Sequence, residues 1–193
     1  MKRKITYLLI TLMLLISCNN SNKKEVVNAE THLTENQNWD NESIDTKNIE
    51  LEITKYFKAL DDNDADKVIE FMYPDIFVYL KNQFPNEYSA KMIKDVIRES
   101  MTSIDNVDKM VDSRHYEFGE FEQHIDEDGI KVYTVTTYII WEMNGKERVE
   151  GSEQLAISLD NGGTWKFVEK QTKDEFLPLL KISIPNRLAN LVE

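Results

Sequence analysis

The sequence predicts an α+β domain in which three N-terminal helices pack on a curved four-stranded antiparallel sheet, followed by short C-terminal helical segments. Three observations support this prediction. Apolar residues recur at helical spacing from about residue 47 to 103, the spacing changes to alternation from about residue 109, and turn-forming residues separate the alternating segments. Residues 47–193 are therefore expected to form one domain with a buried core.

Amphipathic segments account for the predicted helices. The first has Thr46 as its expected N-cap and carries its apolar face on Ile49, Ile53, Tyr56, Phe57 and Leu60. The second carries Val68, Ile69 and Met72, and Pro74 ends it. The third is expected from about residue 86 to 103. The apolar stretch 75–80 between them is too short to assign.

Alternating segments account for the predicted strands. Tyr116 and Phe118 share a face of the first strand, and a bulge at Gly119 would return Phe121 to that face. Turns at 126–129, 144–145 and 160–163 separate strands at 131–143, 147–159 and 164–171. Segments 174–180 and 186–192 are the expected closing helices.

The first 18 residues have the pattern of a secretion signal. Three basic residues at 2–4 precede an apolar run at 5–16, and the run leads to Ser17 and Cys18, the chain's only cysteine. An uncleaved anchor helix or a buried segment is the alternative, but the run is shorter than the ~20 residues that span a bilayer. The arrangement resembles a bacterial lipoprotein signal with its lipobox. The resemblance implies removal of residues 1–17 and a lipid on Cys18.

Residues 18–46 are expected to form the lipidated cysteine and a flexible polar tether. By the resemblance, the chain would be anchored in the cell envelope. Asn19 after the lipidated cysteine implies an outer-membrane position facing the periplasm in a source that has an outer membrane.

The chain is strongly acidic, with a formal charge of −12. Phosphate backbones and anionic lipid surfaces repel such a chain, so nucleic acid is excluded as an expected partner. Membrane contact is expected through the lipid alone. With Cys18 assigned to the lipid, no intrachain disulfide and no thiolate metal site is expected.

The stretches 53–60 and 64–72, with sequences ITKYFKAL and DADKVIEFM, resemble the opening helices of the NTF2-like superfamily, which includes SnoaL and ketosteroid isomerase. The resemblance implies a cone whose open end holds a small molecule, with Tyr56 at an oxyanion-hole position. The isomerases also need two acidic groups, and the corresponding places here fall near Leu80 and Leu155. Isomerase-type proton transfer is therefore not expected, and Tyr56 has a core-packing role as its alternative.

Glu153 is the unusual residue of the third strand. Alternation places it with Leu155 and Ile157 on the inner face. A carboxylate there must have a charged partner, contact water or have a raised pKa. The alternatives are a bulge at Gly151 that turns it outward, or a place at the rim. Tyr56, Glu153 and Tyr138 are thus the candidate ligand-binding residues.

Residues 158–165, with sequence SLDNGGTW, match the Asp-box pattern SxDxGxTW. The stretch resembles a hairpin of sialidase propellers, although one copy cannot build a propeller. The resemblance implies a structural turn formed by Ser158, Asp160, Gly162 and Trp165, with no catalytic role.

No spacing among His32, His115 and His124 marks a metal site, and no nucleotide-binding motif occurs, so neither a metal nor a cofactor is expected. Three functions remain open. The first is an envelope protein that binds a small apolar ligand or a partner protein without catalysis, with a homodimer as one form. The second is a divergent SnoaL-like enzyme using Tyr56 and Glu153. The third is an acidic interaction or immunity-type module with a basic envelope partner, which predicts a filled cone and an acidic outer sheet.

Overall fold

The structure is a computed structural model that describes residues 43–108, 112–170 and 172–192. The predicted signal peptide, Cys18 and most of the predicted tether lie outside the described residues. None of the described helices has both the length and the apolar composition needed to cross a bilayer.

Within the described residues, four helices precede the sheet: α1 Ile44–Asp61, α2 Ala65–Phe71, α3 Asp75–Gln83 and α4 Ala90–Asp108. The prediction of three helices is wrong because the unassigned stretch 75–80 forms most of α3. Its N-cap is Pro74, which also follows the end of α2. One proline therefore separates two helices in a segment too short to show helical periodicity.

The first helix begins earlier than its sequence predicts. Ser43 is the N-cap, and its Oγ accepts a hydrogen bond from the Thr46 backbone N–H at 3.2 Å. Thr46 lies inside the first turn and donates its own hydroxyl to the Ser43 carbonyl at 2.8 Å. Both residue types cap helices well, so sequence alone could not choose between them.

The sheet contains four antiparallel strands in the order β1-β2-β3-β4: β1 Ser113–Glu127, β2 Ile130–Met143, β3 Lys146–Ser158 and β4 Lys166–Glu169. The α+β class with a four-stranded antiparallel sheet is thus confirmed. The bulge at Gly119 is also confirmed, because β1 advances three residues from Phe118 to Phe121 while β2 advances two. A second irregularity follows between Gln123 and Ile125.

The two faces of the sheet have different neighbours. The helix-side face packs against α1: the Phe57 ring stacks on Tyr116 with centroids 4.3 Å apart, and Tyr56 stacks on Phe167 at 6.0 Å. By alternation and register, this face carries the even-numbered residues of β3 and the odd-numbered residues of β2 and β4. The other face is called the opposite face below.

The opposite face is buried most fully at one end. Ile125, Val132, Leu155 and Ile157 lie there, each no more than 2% exposed. They belong to one apolar cluster with residues of the C-terminal segment, which contains α5 Lys173–Leu180 and α6 Asn186–Ala189. The Tyr73 hydroxyl contacts Ser183 Oγ at 2.5 Å, and Ser183 donates to Asp75, which ties this segment to the start of α3.

Candidate functional site

A small cavity of about 40 Å³ lies between α1, α4 and the helix-side face. Its lining mixes apolar and polar side chains: Tyr56, Phe57, Leu60, Ser100, Met101, Ile139, Ser152, Gln154 and Glu169. One water needs roughly 10–15 Å³ on this scale, so the cavity has room for a few water molecules. Small-molecule sites typically occupy about 300–1,000 Å³.

Glu169 is the carboxyl group that faces this cavity. It lies near the end of β4, directly across from Gln154 in the β3–β4 register. Burial raises its pKa to about 7, because the charged form is poorly solvated there. Within the described part of the chain, no ion pair or side-chain hydrogen bond offsets that cost. Glu169 therefore titrates near neutral pH.

Tyr56 lies on α1 at the same cavity. Burial, and secondarily the charge of Glu169, raise its pKa to about 12. The hydroxyl thus stays protonated as a hydrogen-bond donor. Its ring packs against Phe57, Phe71 and Phe167. Tyr56 is accordingly both a core aromatic and a cavity-lining donor.

Neutral polar groups continue the lining along β2 and β3. Thr137 Oγ1 lies 3.0 Å from Ser152 Oγ, and Gln154 Nε2 donates to the same oxygen at 3.4 Å. These groups already satisfy one another, so they can hold water but carry no charge for binding an ion. Glu169 is the one ionisable carboxyl among the lining residues.

Glu153 does not face the cavity. It shares a face with Leu155 and Ile157, as alternation predicts, but its carboxylate is exposed there, so the solvent-exposed alternative is the one observed and the inner position is wrong. Its side chain is 52% exposed on the opposite face, where Oε2 lies 3.4 Å from Lys170 Nζ. No bulge occurs at Gly151, since the β2–β3 register runs without a break from Lys131 to Met143. Leu155 and Ile157 are apolar because the opposite face is buried at their end of the sheet, so their apolar character does not mark the face that lines the cavity.

Tyr138 also lies on the opposite face and does not line the cavity. Its ring fills the space over two glycines of the neighbouring strands. A Cβ on Gly119 would come within 2.9 Å of Tyr138 Cε2, and a Cβ on Gly151 within 3.1 Å of Cε1. The ring therefore needs glycine on both sides, and Tyr138 serves the packing of this face.

Sequence reasoning missed Glu169. Both Phe167 and Val168 are buried, so alternation along β4 did not identify its two faces. The predicted turn at 160–163 held the missing signal, because extending that hairpin places residue 169 beside Gln154 and on its face. Leu155, in contrast, lies on the opposite face, so its position said nothing about acids in the cavity.

The exposed side chains of the opposite face are largely acidic. We call the following residues the acidic face; all five are exposed: Glu117, Glu122, Glu142, Glu147 and Glu153. Glu142 lies directly across from Glu147, which places two like charges opposite each other. Tyr138 and the half-exposed Val149 lie among them. Three basic groups lie nearby: His115 is 3.6 Å from Glu117, His124 is 3.8 Å from Glu122, and Lys170 lies beside Glu153.

A shallow open groove of about 380 Å³ runs between α1 and β1. Phe57, Tyr116 and Phe118 form its aromatic wall. Its carboxylate, Asp61, pairs with Arg114 and accepts the Tyr116 hydroxyl at 2.7 Å. The carboxylate of the groove is thus already paired.

The Asp-box-like stretch forms a tightly bonded turn. Asp160 Oδ1 accepts bonds from Ser158 Oγ and the Thr164 N–H, each at 2.8 Å, and Ser158 Oγ accepts the Gly162 N–H at 2.8 Å. Trp165 is 2% exposed and meets the Tyr133 ring edge-on at 5.7 Å. These are the contacts that the sequence predicts for a structural turn.

The described residues contain no group of three or more His, Cys, Asp and Glu side chains that could hold a metal ion. Comparison of the chain with family models, curated proteins and solved structures finds no match. The function is therefore argued from the acidic face and the cavity.

Proposed function

We propose that this chain is a non-catalytic interaction module of the cell envelope, anchored by a lipid on Cys18, that binds a basic partner protein on its acidic face. We also propose that the domain is an NTF2-like cone whose interior is filled by its own side chains. The fold proposal is supported by the helical and then strand-rich order of the chain and by the position of Tyr56 beside the cavity.

The observation that carries the proposal is the pair of like charges that Glu142 and Glu147 form on the acidic face. Glu142 and Glu147 oppose each other across β2 and β3, an arrangement that costs stability in the isolated domain. A basic surface placed over them would turn this repulsion into attraction and would also steer the approach of the partner. Tyr138 and Val149 offer apolar contact area at the centre of the same face.

The size of the cavity supports an outer site over an inner one. About 40 Å³ holds a few waters but not an apolar ligand. Binding of such a ligand would require α1 or α4 to move away from the sheet. A surface site requires no such movement.

The binding proposal can be tested with a variant that separates folding from recognition. Glu142→Lys places an opposite charge across from Glu147 and should stabilise the domain by about 0.5 kcal/mol. The same change should weaken binding of a basic partner. A photoreactive phenylalanine analogue in place of Tyr138 would report on binding in the source cells. We expect a crosslinked protein partner that disappears in the Glu142→Lys background.

The matched control is Glu99→Lys, which reverses an exposed charge on α4. This variant should retain the crosslink. Equal loss of the crosslink in both variants would mean that net charge matters but the acidic face does not. Persistence in Glu142→Lys would exclude the acidic face as the binding surface.

The anchor proposal has its own test. Cys18→Ala removes the only lipidation site and should move the protein from the membrane fraction to the soluble fraction of the envelope. A Cys18→Ala protein that still sediments with membranes after a high-salt wash would contradict lipid anchoring.

The pKa of Glu169 supports a second candidate, an enzyme that uses Glu169 as base and Tyr56 as donor. A carboxyl group that titrates near pH 7 beside a protonated hydroxyl is suited to proton transfer. This candidate predicts turnover of an enolisable ketone by the parent and none by Glu169→Gln. Our account predicts no turnover by either protein.

A further inference from the structure

The outer edge of β3 is open over half of its length. β4 pairs only with residues 154–157 of β3, and the Lys170 N–H then donates to the Glu153 carbonyl at 2.8 Å. Among the residues that the structure describes, no strand or loop backbone pairs with the outer side of Lys146–Ser152. Such an edge is a template for another strand.

The direction of the backbone groups on this edge follows from two observations. The two-residue turn Asn144-Gly145 joins Met143 to Lys146, so Met143 and Lys146 form a hydrogen-bonded pair. Because backbone direction alternates along a strand, the N–H and C=O groups of the even-numbered β3 residues point toward β2. The outward carbonyl of Glu153 agrees with this assignment. The N–H and C=O groups of Glu147, Val149 and Gly151 therefore point outward.

We propose that a second copy of this chain pairs antiparallel with this edge, with Val149 on the two-fold axis, so that one sheet continues across the dimer. This inference goes beyond the proposed function, since it concerns the backbone edge of β3 and a second copy of the chain. Glu147 would pair with Gly151 of the second copy, and Val149 with Val149. All outward backbone groups of the segment would then be satisfied.

Charge complementarity selects the second copy as the occupant. In this register, Arg148 lies directly across from Glu150 of the second copy, and the symmetry repeats the pair. Within one chain, burial raises the pKa of Glu150, and the charge of nearby Arg148 on the same face opposes that rise. The dimer would thus alternate four charges of opposite sign at its centre.

Other registers are unfavourable. Moving the axis one residue toward the turn places Arg148 across from Arg148, and moving it one residue the other way places Glu150 across from Glu150. Moving it two residues toward the turn opposes Glu147 to itself. Like charges directly across a strand pair are destabilising. Val149 is also the midpoint of the open segment, so its register is the one that uses the whole edge.

A single introduced thiol tests the proposal on the full chain in mild detergent. Cys18→Ala removes the native cysteine, and Val149→Cys places one thiol on the axis. Cα atoms of a hydrogen-bonded antiparallel pair lie about 5.5 Å apart, within disulfide range. The matched control is Leu159→Cys, whose position is 46% exposed but lies beyond the open edge. We expect disulfide dimers to form severalfold faster from position 149 than from position 159.

Charge variants decide whether the register is the proposed one. In the Val149→Cys background, Arg148→Glu replaces two attractions by two repulsions and should weaken dimerisation roughly tenfold or more. Adding Glu150→Arg restores complementarity and should recover the disulfide. Equal oxidation rates at positions 149 and 159, no effect of Arg148→Glu, or no recovery in the double variant would each overturn the proposal. So would a disulfide at position 149 that forms only with a different protein.

Discussion

Glu169 shows how burial alone can tune a side chain. Its carboxyl group faces a cavity with neutral polar neighbours, and its pKa rises to about 7. In the unfolded chain, the ordinary value of 4.5 applies. The folded chain therefore binds more protons between these two values, and its stability falls as the pH rises through that window.

This linkage leads to the first prediction. Glu169→Gln should leave stability at pH 4.5 nearly unchanged and should raise it at pH 8 by about 1–2 kcal/mol, allowing for the partial exposure of the carboxyl. Urea unfolding at both pH values measures the difference. Glu120→Gln removes an exposed charge and is the control for net charge. An equal gain at pH 8 in Glu120→Gln would show that burial of Glu169 is not the cause.

Trp165 provides a second prediction at this scale. Its indole is 2% exposed, and its Nε1 has no hydrogen-bond partner among the described residues. Trp165→Ala should cost about 3–5 kcal/mol of unfolding free energy. Trp165→Phe should cost far less, because it keeps most of the packing and removes the buried unpaired N–H. Similar losses in both variants would indicate that the indole nitrogen is in fact bonded.

At the scale of elements, the start of α1 packs beside the 158–165 turn and is bonded to β2. Asp45, in the first turn of α1, is 8% exposed, and its Oδ2 accepts a bond from Lys131 Nζ at 2.6 Å. Its Oδ1 lies where a Cβ on Gly162 would come within 2.9 Å. Gly162 has a φ of +87°, so glycine is needed for both backbone conformation and space.

The stability of the domain should therefore fall by an amount that depends on how many hydrogen bonds of the Asp160 carboxylate are removed. Asp160→Ala removes the bonds from Ser158, the Thr164 N–H and the Thr164 hydroxyl, and should cost roughly 2–3 kcal/mol at about 1 kcal/mol each. Asp160→Asn keeps one acceptor oxygen and should cost less. Thermal or urea unfolding ranks the three proteins. Equal stability of Asp160→Ala and the parent would show that these bonds do not hold the turn.

Sequence patterns identified most elements but not their neighbours. The helical and alternating periods, the Gly119 bulge and the Asp-box turn follow from local chemistry, and all occur in the structure. The C-terminal segment covers one end of the opposite face. The periodicity of a strand does not show where a distant segment packs, so the covered end could not be predicted. For this reason the sequence could not decide between an inner and an exposed position for Glu153, and it did not identify Glu169.

At the scale of the whole molecule, the domain separates a filled interior from a charged exterior. The cavity of about 40 Å³ lies between α1, α4 and the sheet, whereas Glu117, Glu142, Glu147 and Glu153 are exposed on the opposite face. The fold thereby offers a partner an acidic surface with Tyr138 and Val149 at its centre. Our account assigns binding to that surface.

The most direct test is native mass spectrometry of the chain isolated from its own membranes in non-denaturing detergent. The account predicts the mass of the lipidated polypeptide, as monomer, dimer or protein complex, with no bound small molecule. Ser152→Leu, which fills the cavity, should leave the photocrosslink from position 138 intact. A stoichiometric organic ligand on the parent that is absent from Ser152→Leu would contradict the account and make the interior the binding site.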